Sequence, residues 1–327
     1  GHGRRGPGLV GGGRTGRGAV ARGLERRAAR PSAGTARLER VLDDPLNVAA
    51  AGGESASAAE DAGAAAVVPR ATYRLQLGGG FGFDDAARLV PGLARLGISH
   101  VYCSPYLAAR PGSTHGYDVV DHTRLNDELG GEAGYAAFLA ALRAHGLEQV
   151  LDFVPNHVGI GGHANLWWLD VLEWGREAPP ARAFDIDWEA PGLEGKLLVP
   201  LLGEPYGEAL EAGRLELRFD AAAGSFAIWI PGEHQLPLCP TSYPSLLPRA
   251  GPLEALSVAF AALRRQPATA RIAQAAELKA RLARCVADDP GAMAMLRQSL
   301  RRLAGRPGRP ASFRGLDRLL SRQHWRV

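Results

Sequence analysis

Sulphur is scarce in this 327-residue chain, which has three cysteines and two methionines. Cys103, Cys239 and Cys285 stand apart, with no CxxC pair and no histidine at metal-ligand spacing, so neither a disulfide framework nor a zinc site is expected. So sparse and odd a count suits a reducing compartment. Long apolar runs are missing too, which argues against a membrane-spanning helix and against the membrane as a partner. No signal-peptide core is found at the N-terminus, and the expected location is the cytoplasm. The dinucleotide fingerprint is absent: "GGGFG" at 78–82 lacks the GxGxxG spacing and runs into Asp84 and Asp85. Acid is scarce only near the start, where the first forty residues hold ten Arg against two Glu. The net charge of +4 is therefore mostly a property of the tail. With no reader motif beside it, nucleic acid is not an expected partner.

What is present divides into four stretches. Residues 1–66 are rich in Gly, Arg, Ala and Ser and too poor in large apolar groups to offset ordering entropy, so a disordered tail is expected, with at most a short helix over 36–46. A segment of this kind reads as upstream translation, and no function is assigned to it. Residues 67–157 then alternate. Ala71–Leu77 has the period of a strand, and "FDDAARLVPGLARLG" that of a helix, with Asp84 as its expected N-cap. "ISHVYCSP" reads as a strand, "GGEAGYAAFLAALRAHG" as a helix and "EQVLDFVP" as a third strand. Strand, helix, strand, long loop, helix, strand predicts an α/β fold with a parallel sheet, either doubly wound or the start of a (β/α)8 barrel. Residues 158–250 break that rhythm. They carry five of the six tryptophans and a hairpin-like pair in "RLELRFDAAAGSFAIWI". Residues 251–327 are helical to about Arg302, then pass through "GRPGRP" as a linker.

Two polar clusters follow strand ends. "GSTHGYDVVDH" starts at Gly112 and holds His115, Tyr117, Asp118 and Asp121; "LDFVPNHVG" holds Asp152, Asn156 and His157. In a barrel, loops at the C-terminal ends of the strands build the active site, so this placement favours a site over a solvated turn. The Asp-x-x-x-Asn-His spacing of Asp152, Asn156 and His157, one βα unit after the Gly-Tyr-Asp of Gly116–Asp118, resembles the α-amylase superfamily of glycoside hydrolases and transglycosylases. "ATYRLQL", "LGISHVYCSP", "ARPGSTHGYDVVDH", "NLWWLDVLEWGR", "FDIDW", "KLLVPLLGEPYGEAL" and "LPLCPTSYP", in that order, resemble a branch of it that rearranges malto-oligosaccharides.

The resemblance implies the N-terminal part of an α-amylase-type TIM barrel with a large insertion after the third strand. It implies a malto-oligosaccharide or α-glucan substrate whose reducing-end α-1,4 linkage becomes α,α-1,1, and functional pairing with a trehalose-releasing hydrolase. Tyr117 would lie under the first sugar, His157 would bond one of its hydroxyls, and His115 would line the same pocket. Asp152, Asn156 and Asp118 would support the site. No cofactor and no metal is expected, although the matching Asn helps bind calcium in many amylases. The superfamily's nucleophilic Asp and acid Glu have no matching contexts before Val327, so both are expected beyond it. The isolated chain is then expected to be inactive and, with sheet edges open, poorly stable. The alternatives are an amylase-type hydrolase or other transglycosylase, and a non-catalytic α-glucan-binding fragment. The tryptophans suit stacking on pyranose faces or a satellite core, with Trp168 and Trp174 the two expected to be buried.

Overall fold

The computed structural model describes residues 68–327, and the expected tail and its short helix lie outside the described residues. The strand–helix alternation is present. β1 (Thr72–Leu75), α1 (Phe83–Arg95) and β2 (His100–Cys103) form the first unit, with the strands parallel and Arg74 opposite Tyr102. β1 is shorter than the alternation predicts, because the Leu77 N–H turns to Ser104 Oγ (2.8 Å). The N-cap of α1 is Gly82, not Asp84 as expected: the Gly82 N–H donates to Asp85 Oδ2 at 2.9 Å. Asp84 sits inside the first turn, where a carboxylate still complements the helix dipole.

The long loop contains a hairpin of β3 (Leu107–Ala109) and β4 (Val119–Leu125), with α2 (Gly131–Ala144) and β5 (Glu148–Leu151) after it. β5 pairs in parallel with β2, giving a sheet of order β1-β2-β5. Side chains alternate across each strand. Leu75, Val101 and Cys103 join Phe83, Val90, Phe138 and Leu142 in a buried cluster between sheet and helices. Each such buried side chain contributes roughly 1.5–3 kcal/mol. Arg74 and Tyr102 occupy the other face, and that leaves it polar at the strand ends.

A second, larger core follows. α3 (Leu166–Trp174), β6 (Leu197–Leu198) and α4 (Tyr206–Glu211) lead to an antiparallel sheet of β7 (Glu216–Asp220), β8 (Ser225–Ile230) and β9 (His234–Pro237). The pair β7–β8 is the predicted hairpin; β9 was not anticipated. α5 (Pro252–Ala262), α6 (Ala268–Asp288), α7 (Pro290–Leu303), α8 (Arg314–Leu320) and β10 (Trp325–Arg326) complete the chain. Phe226, Tyr243, Phe260, Leu282, Phe313 and Trp325 lie in one cluster, so residues 158–250 and 251–327 share a core. Beyond "GRPGRP" the chain folds back: β10 pairs in parallel with β6, and Trp325 Nε1 donates to Pro237 O at 3.0 Å. No described helix is long and apolar enough to cross a membrane.

Candidate functional site

The polar ends of the three parallel strands meet the 110–118 loop. Arg74 on β1 and Tyr102 on β2 are cross-strand partners, and Asp152 follows β5 two residues beyond Val150, which is opposite Tyr102. Period two therefore puts all three on one face. Tyr117 reaches this row from the hairpin loop. Its hydroxyl donates to Asp152 Oδ2 at 2.6 Å and accepts from Arg74 Nη2 at 2.9 Å. Tyr102 Oη also donates to Asp152 Oδ2, at 3.0 Å, and the Arg74 guanidinium lies 5.6 Å from the Tyr102 ring centroid. Asp152 thus accepts two phenols, with the Arg74 cation 4.0 Å away.

Two fields act on the Tyr117 phenol. The hydrogen bond to Asp152, joined by burial, raises its pKa, while Arg74 works in the opposite sense. The net shift is upward, so the phenol stays protonated and offers a fixed aromatic face with its oxygen pinned at one edge.

The loop is built to present that ring. Gly116 has φ +76°, and a Cβ there would meet Pro105 O at 2.4 Å, so only glycine passes this point. The Gly116 N–H donates to Ser113 Oγ, which itself donates to Asp118 Oδ1 at 2.5 Å. Asp118 is thereby bonded within the loop. Asp121 accepts from the Thr123 N–H and hydroxyl and from Arg124; burial opposes its ionisation, but these donors win and lower its pKa.

His115, Tyr117, Asp152 and His157 are brought together. The Tyr117 N–H donates to His115 Nδ1 at 3.0 Å, and the two rings stack with centroids 6.1 Å apart. His157 Nε2 donates to Tyr117 O at 3.1 Å, which ties the loop after β5 to the loop after β2. Its hydrogen bond is thus to backbone. Asn156 is exposed and makes no hydrogen bond among the described residues. Trp168 and Trp174 are buried as expected, whereas Trp167 is 44% exposed on the first turn of α3. Asn165 caps that helix and donates to Gly159 O at 2.9 Å, so the Trp167 turn is anchored to the loop after His157. Among the described residues, no three His, Cys, Asp or Glu side chains are grouped to hold a metal ion.

Arg74 was missed from the sequence. Within a strand it reads as an ordinary exposed cation, and its partner Tyr117 lies 43 residues away. The signal available was "YRLQ" itself, a cation and an amide alternating on one face just before a glycine loop.

Residues 89–173 match the family described as Alpha amylase, catalytic domain. Over 138 residues the chain is 49% identical to the putative maltooligosyl trehalose synthase of Mycobacterium tuberculosis, covering 40% of this chain and 18% of that protein. Over 80 residues it is 36% identical to the malto-oligosyltrehalose trehalohydrolase of Arthrobacter ramosus, covering 24% of this chain and 14% of that protein. The solved structure of maltooligosyltrehalose synthase from Arthrobacter ramosus is 43% identical, covers 52% of this chain and 21% of that chain, and has a TM-score of 0.45. The chain thus spans about a fifth of the length of the synthases it matches.

Over residues 89–173 the class is that of an alpha-amylase catalytic domain, on an α/β fold of that type. Within that class, the chain is a homologue of maltooligosyl trehalose synthase over the residues matched, as its motifs implied.

Proposed function

We propose that the chain supplies the first sugar subsite of an intramolecular glucosyl transfer, in which the reducing-end α-1,4 linkage of a malto-oligosaccharide becomes α,α-1,1. The observation that carries this is the Tyr117 ring, held by Asp152 and Arg74 at the strand ends and flanked by His115 and His157. Tyr117 lies under the sugar, and the two histidines offer ring nitrogens to its hydroxyls. His157 would exchange its bond to Tyr117 O for one to the substrate. Asp152 is engaged by two phenols, so it orients rather than attacks, and Asn156 and Asp118 belong to the supporting loops.

A retaining transfer needs a nucleophilic carboxylate and an acid roughly 5 Å apart. We assign neither to the 327 residues, which on this reading bind glucan without converting it. In the complete reaction the glycosyl-enzyme is attacked by the anomeric hydroxyl of the cleaved glucose. A subsite that retains that glucose and excludes water is therefore essential. Trp167, exposed beside the site's second loop, is suited to cover it. In the same reading, the parallel strands are the first three of a (β/α)8 barrel, with 67–157 as its opening units and 158–250 as an insertion. The stretch 251–327 is then the helical segment that follows. Location in the cytoplasm, and action alongside a trehalose-releasing hydrolase, belong to this reading as well.

Incubation with maltopentaose, followed by reducing-end analysis, tests it. Constant reducing ends with saturable binding are expected of this chain. Falling reducing ends would return the catalytic groups to these residues, and rising ones would favour a hydrolase.

A further inference from the structure

The sugar site leaves one charged feature unexplained. A cleft of about 830 Å³ opens between the second half of α7 and the loop that leads to α8, within the size range of small-molecule sites. Its lining includes Met295, Gln298, Arg301, Arg302, Arg306 and Arg309. Residues 294–312 contain five arginines and no acid. None of the four lining guanidiniums is in an ion pair or side-chain hydrogen bond among the described residues.

The arrangement is built by the fold. Ala292 and Leu296 turn one face of α7 into the core, and Gln298, Arg301 and Arg302 follow at the spacing of a second face. The next loop is then pinned over that face. The Arg306 N–H donates to Ser312 Oγ at 2.8 Å, and Ser312 Oγ donates to Arg309 O at 2.6 Å. Phe313, adjoining, is buried in the core. At Gly305, φ is +75° and a Cβ would strike the Phe313 ring, so the turn is locked as well. Arg306 and Arg309 therefore rise from a fixed backbone rather than a loose one. The dipole of α7 accounts for Arg301 and Arg302 in its last turn, but not for two more cations beyond its end.

Four like charges around one cleft repel each other unless an anion joins them. Guanidinium forks match the oxygens of phosphate in pairs, and Met295 gives the cleft an apolar wall. We infer that this cleft binds a small molecule bearing a diphosphate or phosphate-ester group. It is separate from the sugar subsite and owes nothing to the residues placed there.

The test is calorimetric titration of the full chain with inorganic pyrophosphate. Saturable one-to-one binding is expected, weakened at least about tenfold in R306Q/R309Q by the loss of charge-assisted bonds. The same loss is expected in R301Q/R302Q, which alters the helix and spares the loop. The control R281Q/R284Q, on α6, should bind as the parent does, with all variants matched by circular dichroism. Absence of saturable binding, binding that survives both cleft variants, or an equal loss in the control would each overturn the inference. So would heparin binding at these arginines that pyrophosphate fails to displace, because that would assign the surface to a polyanion.

Discussion

A phenol between a guanidinium and a carboxylate titrates under opposing influences, and Tyr117 is in that position. Asp152 holds its proton on; Arg74 favours losing it. Asp152→Asn should therefore lower the alkaline ionisation of one tyrosine, and Arg74→Gln should raise it further. Tyr117→Phe should remove that transition altogether. Ultraviolet tyrosinate absorbance across an alkaline titration reads all three variants, and shifts of the same sign in the first two would contradict the geometry. The polar cluster itself was legible, because Tyr117, Asp152, His115 and His157 follow strand ends in a pattern that period and spacing expose. Arg74 was not, since cross-strand pairing decides its partner. For Asn156, a spacing match says which loop the residue is on, but not what its side chain touches.

Among the elements, those with long periodic runs were the readable ones. α1, α2 and the three parallel strands appear where alternation put them, while the β3–β4 hairpin hid in a stretch where β3 is only three residues, Leu107–Ala109. The C-terminal turn was obscured by its Gly–Arg–Pro repeat. Phe313, Leu316, Leu319 and Leu320 nevertheless have helical spacing and are buried. That segment carries a pH dependence. Burial, the main cause, lowers the pKa of His324, while Glu177 opposes the shift and Lys196 and Arg271 add to it. The unfolded chain then binds a proton at about pH 6.5 that the folded chain resists. This contribution to stability is complete above that pH and is lost as pH falls below it. The fall in Tm from pH 7.5 to 5.5 should be smaller in His324→Gln than in the parent, and an identical fall would contradict the assignment.

At the scale of the molecule, the described residues form two separate hydrophobic clusters, and the polar site lies at the strand ends beside the smaller one. The parallel sheet ends at β5, which has no further strand partner among the described residues, and Leu151 and Phe153 beside it are 48% and 51% exposed. An open apolar edge is a template for association. Light scattering of the chain should rise with concentration, and Leu151→Lys should suppress that rise without changing the helical circular dichroism signal. Scattering unaffected by the lysine would place the association elsewhere.

The central claim is that Tyr117 forms the floor of a glucose subsite, and maltotriose titration of the full chain, followed by tryptophan fluorescence, tests it most directly. The account predicts a saturable change in the parent and about tenfold weaker binding in Tyr117→Ala, because an aromatic stacking face is lost. Tyr117→Phe should keep most of the affinity. Equal binding by the parent and Tyr117→Ala, or no saturable change in the parent, would contradict it.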